Sequence, residues 1–162
     1  MKILFLSDEF PPQCIGGAGV AAHRLSIALR DKGHDIYVIT RVRKKALEEI
    51  ATEKGIKVYR VYSNYHERWR AYLSLYNPSI VKRLKQIIKI EKPDVIHAHN
   101  IHIYISYKAL KIARQSGAKV FITAHDMMFF HYGKLTDNID STSMNIPENI
   151  NYNISILKQI KN

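Results

Sequence analysis

A single cysteine, Cys14, stands among 162 residues. No disulfide can close within the chain, which excludes a disulfide-stapled secreted fold and fits a reducing compartment. No apolar run reaches the ~18 residues that a bilayer span requires. The opening Met-Lys-Ile-Leu-Phe-Leu is interrupted by Asp8 and Glu9, too early for the apolar core of a secretory signal. The glycines at 16, 17 and 19 lack a partner three residues further on, so the dinucleotide fingerprint is missing. No Lys-Ser or Lys-Thr follows them to complete a P-loop. Acidic residues are scarce as well: 14 Asp and Glu face 25 Lys and Arg, a net charge of +11.

That charge is localised. Residues 1–40 carry four charges of each sign, residues 41–92 carry 14 basic and 5 acidic, and the remainder carries 7 and 5. The excess is therefore a property of one stretch, which suits a phosphate, a nucleic acid or an anionic membrane.

The first 33 residues organise the rest. Lys2 to Ser7 is an apolar run of the kind buried on both faces of a parallel sheet. A glycine-bearing loop, Asp8 to Gly19, leads into a helix from about Val20 to Lys32. Ala21, Leu25, Ala28 and Leu29 form its expected apolar face, with Gly33 at its C-terminal cap. A helix start without side chains in the way suits a phosphate, and Gly16 and Gly17 allow close approach.

Further strands are expected at 35–40, 56–62, 95–99 and 119–123. Helices are expected over 41–54, 79–91 and 104–116. Strand and helix in alternation imply parallel pairing through right-handed crossovers, with the first strand central and helices on both faces. Residues 64–77 are aromatic and basic, on a loop and a short helix. The helix at 79–91 sets Ile80, Leu84, Ile87 and Ile88 against Lys82, Arg83, Lys85 and Lys89. That basic side is either an ordinary solvated face or a surface for anionic lipid. Residues 127–133 form an apolar, aromatic loop. From Lys134 the pattern fades, with a short helix over 152–160.

Polar residues gather at the C-terminal ends of the expected strands: Asp8, His97, His99, Asn100, His125 and Asp126. Parallel α/β sheets bind ligands at that edge. His97 and His99 face the same way on a strand. They are either a structural pair or, with His102, metal ligands of a hydrolase, although further carboxylate–histidine spacing is lacking. His125 can donate a hydrogen bond, exchange a proton near neutral pH, or cap the next segment.

Four motifs recur in order: Phe10-Pro11-Pro12 with Gly16-Gly17; Lys32-Gly33-His34-Asp35; Lys92-Pro93-Asp94-Val95-Ile96-His97-Ala98-His99-Asn100; and Thr123-Ala124-His125-Asp126. Together they resemble the N-terminal domain of the family-4 retaining glycosyltransferases of GT-B fold, over roughly residues 1–133. The resemblance implies a Rossmann-like parallel sheet. It implies transfer from a nucleotide-sugar donor to a carbohydrate or lipid-linked acceptor, in cell-surface polysaccharide or glycolipid synthesis. It implies no cofactor, no metal and no nucleic-acid partner. Gly16 and Gly17 match the turn near the donor phosphates, and His125 matches the histidine near the transferred sugar. Asp8, His99, Asn100 and Asp126 are then acceptor-side candidates. Lys82, Arg83, Lys85 and Lys89 are membrane-facing ones, for an enzyme that is cytoplasmic and peripheral at the inner face of the membrane.

The family's second domain is not among these residues, its last N-domain strand is not visible in 134–162, and the chain alone is expected to be inactive. Cys14 stands where glycogen-synthase relatives carry a lysine, which points away from that branch. Two readings from other classes remain: a non-enzymatic module for an anionic surface or nucleic acid, and a metal-dependent hydrolase using His97 and His99.

Overall fold

The computed structural model of the chain describes residues 1–14 and 16–126. The loop expected at 127–133 and the helix expected at 152–160 lie outside the described residues.

Six strands form one sheet: β1 (Lys2–Ser7), β2 (Asp35–Val42), β3 (Glu49–Glu53), β4 (Ile56–Tyr62), β5 (Val95–His99) and β6 (Lys119–Thr123). Their order is β3-β4-β2-β1-β5-β6. β1 is central and pairs in parallel with both β2 and β5. Its residues Leu4, Phe5 and Leu6 are wholly buried. Each such side chain contributes about 2 kcal/mol relative to exposure.

Helices cover both faces. α1 (Gly17–Asp31) lies on one, where Ile3, Phe5, Ile36, Val38 and Val58 meet Ala22. α3 (Pro78–Glu91) and α4 (Lys108–Gln115) lie on the other, over Leu4, Leu6, Ile39 and Ile96. α3 buries Ile80, Leu84, Ile87 and Ile88 as its spacing predicts, with Pro78 in its first turn. The short α2 (Arg70–Leu75) follows a 3-10 turn in the aromatic stretch.

Two expectations are corrected. The helix expected over 41–54 is a 3-10 turn at Lys45–Leu47 followed by strand β3, antiparallel to β4. Ala46, Leu47 and Ile50 have helical spacing, but Leu47 and Ile50 are exposed and pack no helix face. The Lys54-Gly55 turn decides the matter, with positive φ at both residues (49° and 75°), as a two-residue hairpin requires. Buried Arg60 on β4 then holds the edge strand through Glu49 and Glu53, at 3.0 and 2.7 Å.

The contact face of α1 also differs. Gly19, Ala22 and Ser26 are its buried residues, whereas Ala28 is exposed. The helix lies so close to the preceding loop that a Cβ at Gly19 would sit 2.7 Å from the Glu9 carbonyl oxygen. Small residues, rather than the leucines, make the closest contact.

Candidate functional site

Parallel strands deliver β1, β5 and β6 to one edge, and the glycine turn opens above it. Residues from all of them line a cavity of about 460 Å3, among them Asp8, Gly16, Gly17, Asn100, His125 and Asp126. Six of the expected site residues thus share one wall, although Asp8 and Asn100 lie 92 positions apart in the chain.

The glycine turn presents an open helix start. Gly16 is the N-cap of α1, no side chain caps it, and no acidic residue occupies the first turn. The Gly16 N–H donates to Glu9 Oε2 at 2.9 Å, so that amide is engaged. The amides of the following helical turn keep the partial positive charge of a helix N-terminus. A Cβ at Gly17 would meet nothing within 4 Å, so the surface there is bare backbone.

Asp8 is an anchor. Its Oδ2 accepts from the Ile103 N–H at 2.7 Å, and its Oδ1 accepts from Tyr104 at 3.0 Å and Ile105 at 2.7 Å. The side chain is buried. Burial pushes its pKa up to about 6, against the downward pull of those backbone N–H groups and of Arg41. Asp8 thus fixes the loop that carries Asn100, His102 and Ile103, while remaining part of the cavity wall.

The histidines form a chain. His97 Nε2 lies 2.8 Å from Thr123 Oγ1, and His99 Nδ1 lies 2.8 Å from His125 Nε2. The His97 and His99 rings stand 4.2 Å apart, with Phe5 beside both. Burial, then His97, then His125 bring the His99 pKa down to about 4. His99 is therefore neutral at pH 7, and one N–H serves the contact between it and His125. His99 is buried, is not among the residues lining the cavity, and meets His125, which is exposed and lines it. Asn100 Nδ2 donates to Asp126 Oδ2 at 2.7 Å, and the His125 N–H donates to Asn100 Oδ1 at 3.2 Å, tying the two strand exits together. Among the described residues no three His, Cys, Asp or Glu side chains are grouped as a metal site. His97 and His99 are a packed structural pair, and nothing in their arrangement favours the hydrolase reading.

The sequence pattern missed Arg41, Glu9 and Gly19. Arg41 lies near the C-terminal end of β2, at the same edge as Asp8 and His99, and that position was its signal. It is buried, with its guanidinium carbon 3.3 Å from the centroid of the Tyr104 ring. Lys82, Arg83, Lys85 and Lys89 are all exposed on α3, away from the cavity. Among the described residues no helix is long and apolar enough to cross a membrane.

A strand–glycine turn–helix that opens on a histidine-bearing edge of a mostly parallel, helix-covered sheet defines a Rossmann-like α/β fold. The chain belongs to Glycosyltransferase Family 4, whose profile matches residues 15–145. Over 146 residues it is 28% identical to an uncharacterized 42.6 kDa protein in the cps region of Klebsiella pneumoniae, covering 81% of this chain and 38% of that protein. It is 32% identical over 100 residues to an uncharacterized glycosyltransferase of Methanocaldococcus jannaschii, covering 62% of this chain and 25% of that one. A glycogen synthase of Mycobacterium tuberculosis is 28% identical over 142 residues, covering 77% and 33%. The fold matches sucrose-phosphate synthase of Thermosynechococcus elongatus with a TM-score of 0.63 at 15% identity, over 98% of this chain and 39% of that one. The chain thus spans between a quarter and two fifths of the proteins it matches.

Proposed function

We propose that this chain is the acceptor-side domain of a retaining glycosyltransferase, which moves a sugar from a nucleotide-sugar donor to a carbohydrate or lipid-linked acceptor. The observation that carries the reading is the meeting of the bare α1 N-terminus and His125 on one cavity of about 460 Å3. The helix start suits a donor diphosphate, whose leaving charge it stabilises. His125 faces the place of the transferred sugar, and its imidazole there orients a hydroxyl by hydrogen bonding. Asp8 positions the loop, and Asn100 with Asp126 fixes the His125 backbone. Positioning of donor and acceptor by two domains supplies much of the rate, so residues 1–162 alone are expected not to turn over. The test is His125→Ala in the full-length transferase. The expected result is a fall of about 10²-fold in kcat/KM with an unchanged melting temperature. Unchanged kinetics, or a loss explained by unfolding, would defeat the assignment.

The acceptor reading favours cell-surface polysaccharide or glycolipid synthesis. A relative encoded in a cps region and a phosphatidylinositol N-acetylglucosaminyltransferase subunit of Arabidopsis thaliana, 29% identical over 134 residues, support it. A place at the inner face of a membrane accords with the exposed cations of α3 and with exposed Trp69, Tyr72 and Tyr76 just before it. Each cation contributes about 1 kcal/mol at most near anionic lipid. Reversing Lys82, Arg83, Lys85 and Lys89 together should abolish salt-sensitive liposome retention; unchanged retention would remove the membrane role.

A further inference from the structure

A second cavity, of about 340 Å3, adjoins the first across Asp8 and Glu9. Its far wall is made by Cys14, Arg41, Arg43 and Lys44. No described acidic residue forms an ion pair with any of the three cations. The two carboxylates on the shared wall are already engaged: Asp8 accepts three backbone N–H groups, and Glu9 accepts from Gly16.

Arg41 is the informative member. Its side chain is 7% exposed, and its Nε is buried without a partner. The other deeply buried arginine, Arg60, is 3% exposed and donates to Glu49, Glu53 and the Pro11 carbonyl. Arg41 makes no such bond among the described residues: the Tyr104 ring lies against its guanidinium, and Asp8 and Glu9 act on it only through their charge. Buried guanidinium groups are ordinarily paired. A fork of unused N–H donors, fixed on an aromatic ring and flanked by two exposed cations, matches the geometry of a phosphoryl group.

We propose that this second cavity binds a phosphoryl group carried by the acceptor. The proposal rests on the transferase reading, because it places the acceptor beside the cavity assigned to the donor. The phosphoryl group belongs either to a soluble phosphorylated sugar or polyol, or to a lipid headgroup.

The test uses the 162-residue chain and calorimetric titration with inorganic phosphate and with glycerol 3-phosphate. Arg41→Gln should weaken both by about tenfold or more, as expected for loss of a charge-assisted hydrogen bond. Arg43→Gln with Lys44→Gln, both exposed, should weaken them severalfold and flatten the dependence on salt. This second variant keeps the test decisive should Arg41→Gln fail to fold. Arg114→Gln with Lys119→Gln, equal in charge but exposed at the opposite edge of the sheet, should change neither. Equal affinity in all variants, or an equal loss in the distant pair, would overturn the proposal. Vesicles of phosphatidylcholine with and without phosphatidic acid separate the two sources. Arg41-dependent retention on the acidic vesicles assigns a lipid headgroup; glycerol 3-phosphate binding without retention assigns a soluble acceptor. Arg41-dependent phosphate binding in a full-length protein that transfers no sugar would defeat the transferase reading and leave this one standing.

Discussion

The two edges of the sheet use similar residues in opposite ways. At the N-terminal edge polar groups close on one another. The Lys2 N–H donates to Asp94 Oδ2 at 2.8 Å, and Lys57 Nζ meets Glu91 Oε1 at 2.8 Å. The Tyr59 hydroxyl donates to the same Glu91 oxygen. At the C-terminal edge Thr40 Oγ1, Arg41 Nε, His99 Nε2 and Ser106 Oγ are buried without a partner, whereas His34 Nδ1 is such an atom near the other edge. Buried polar atoms are normally satisfied. Leaving them unsatisfied costs stability, and that cost is concentrated where the cavities are. The lesson is that one edge holds the fold together and the other is kept ready for ligands.

The largest expected effect tests the first half of that contrast. Glu91 is buried, and removing it strands the Tyr59 hydroxyl and Lys57. Glu91→Ala should cost about 3 kcal/mol of stability. Burial raises the Glu91 pKa, but Lys57 and Tyr59 outweigh it and hold the carboxyl below its ordinary value. Its contribution is therefore present above the unfolded pKa of about 4.5 and is lost as the pH falls below it. Denaturant titration should show the loss at pH 7, and sugar transfer by the full-length transferase should be unchanged. A stable variant, or one stable but inactive, would break the contrast.

The next effect lies at the other edge. His99 has its pKa lowered from 6.5 to about 4, so the unfolded chain binds a proton in that interval and the folded one does not. Stability contributed by neutral His99 is full above pH 6.5 and declines as the pH falls toward 4, by about 3 kcal/mol. Asp8 runs the other way: its pKa rises from 3.8 to about 6, so it favours the folded state as the pH falls through that range. The comparison of wild type with His99→Gln isolates the histidine. The variant's stability should fall less steeply between pH 6.5 and 4, and parallel curves would show that His99 carries no such strain.

Much of this was legible in the sequence, for reasons that differ by element. The central strand, α3 and the gathering of Asp8, Asn100, His125 and Asp126 follow from period and from position at strand ends, and a parallel sheet brings such ends together. The antiparallel β3 was not legible. Its five residues are mostly exposed, and Arg60 rather than apolar burial holds it. The surroundings of Asp8 and His99 were hidden for a related cause: Asp8 accepts from three backbone N–H groups, and His99 is buried against His125. Sequence gives the edge a residue occupies, but not whether its polar atoms face a cavity or the neighbouring loop. Arg41 was hidden in a charge count, where one buried guanidinium looks the same as an exposed one.

The smallest effect in stability separates the two uses most cleanly. Gly17 begins α1, has no strained backbone requirement, and a Cβ there meets nothing within 4 Å. Alanine is the better helix former, and it restricts the unfolded chain more than glycine does. Judged by the fold alone, Gly17→Ala should stabilise the protein by about 0.5 kcal/mol. Gly19, two residues on, offers the opposite case, because a Cβ there would lie 2.6 Å from Cys14 Sγ. Packing therefore accounts for Gly19 and not for Gly17. Under the proposed function, the bare backbone at 17 keeps the cavity open, since a methyl group would stand between the helix amides and a donor diphosphate. Gly17→Ala should accordingly raise the melting temperature while lowering kcat/KM of the full-length transferase about tenfold or more. A variant that gains stability and keeps full activity would show that the helix start is not a ligand surface.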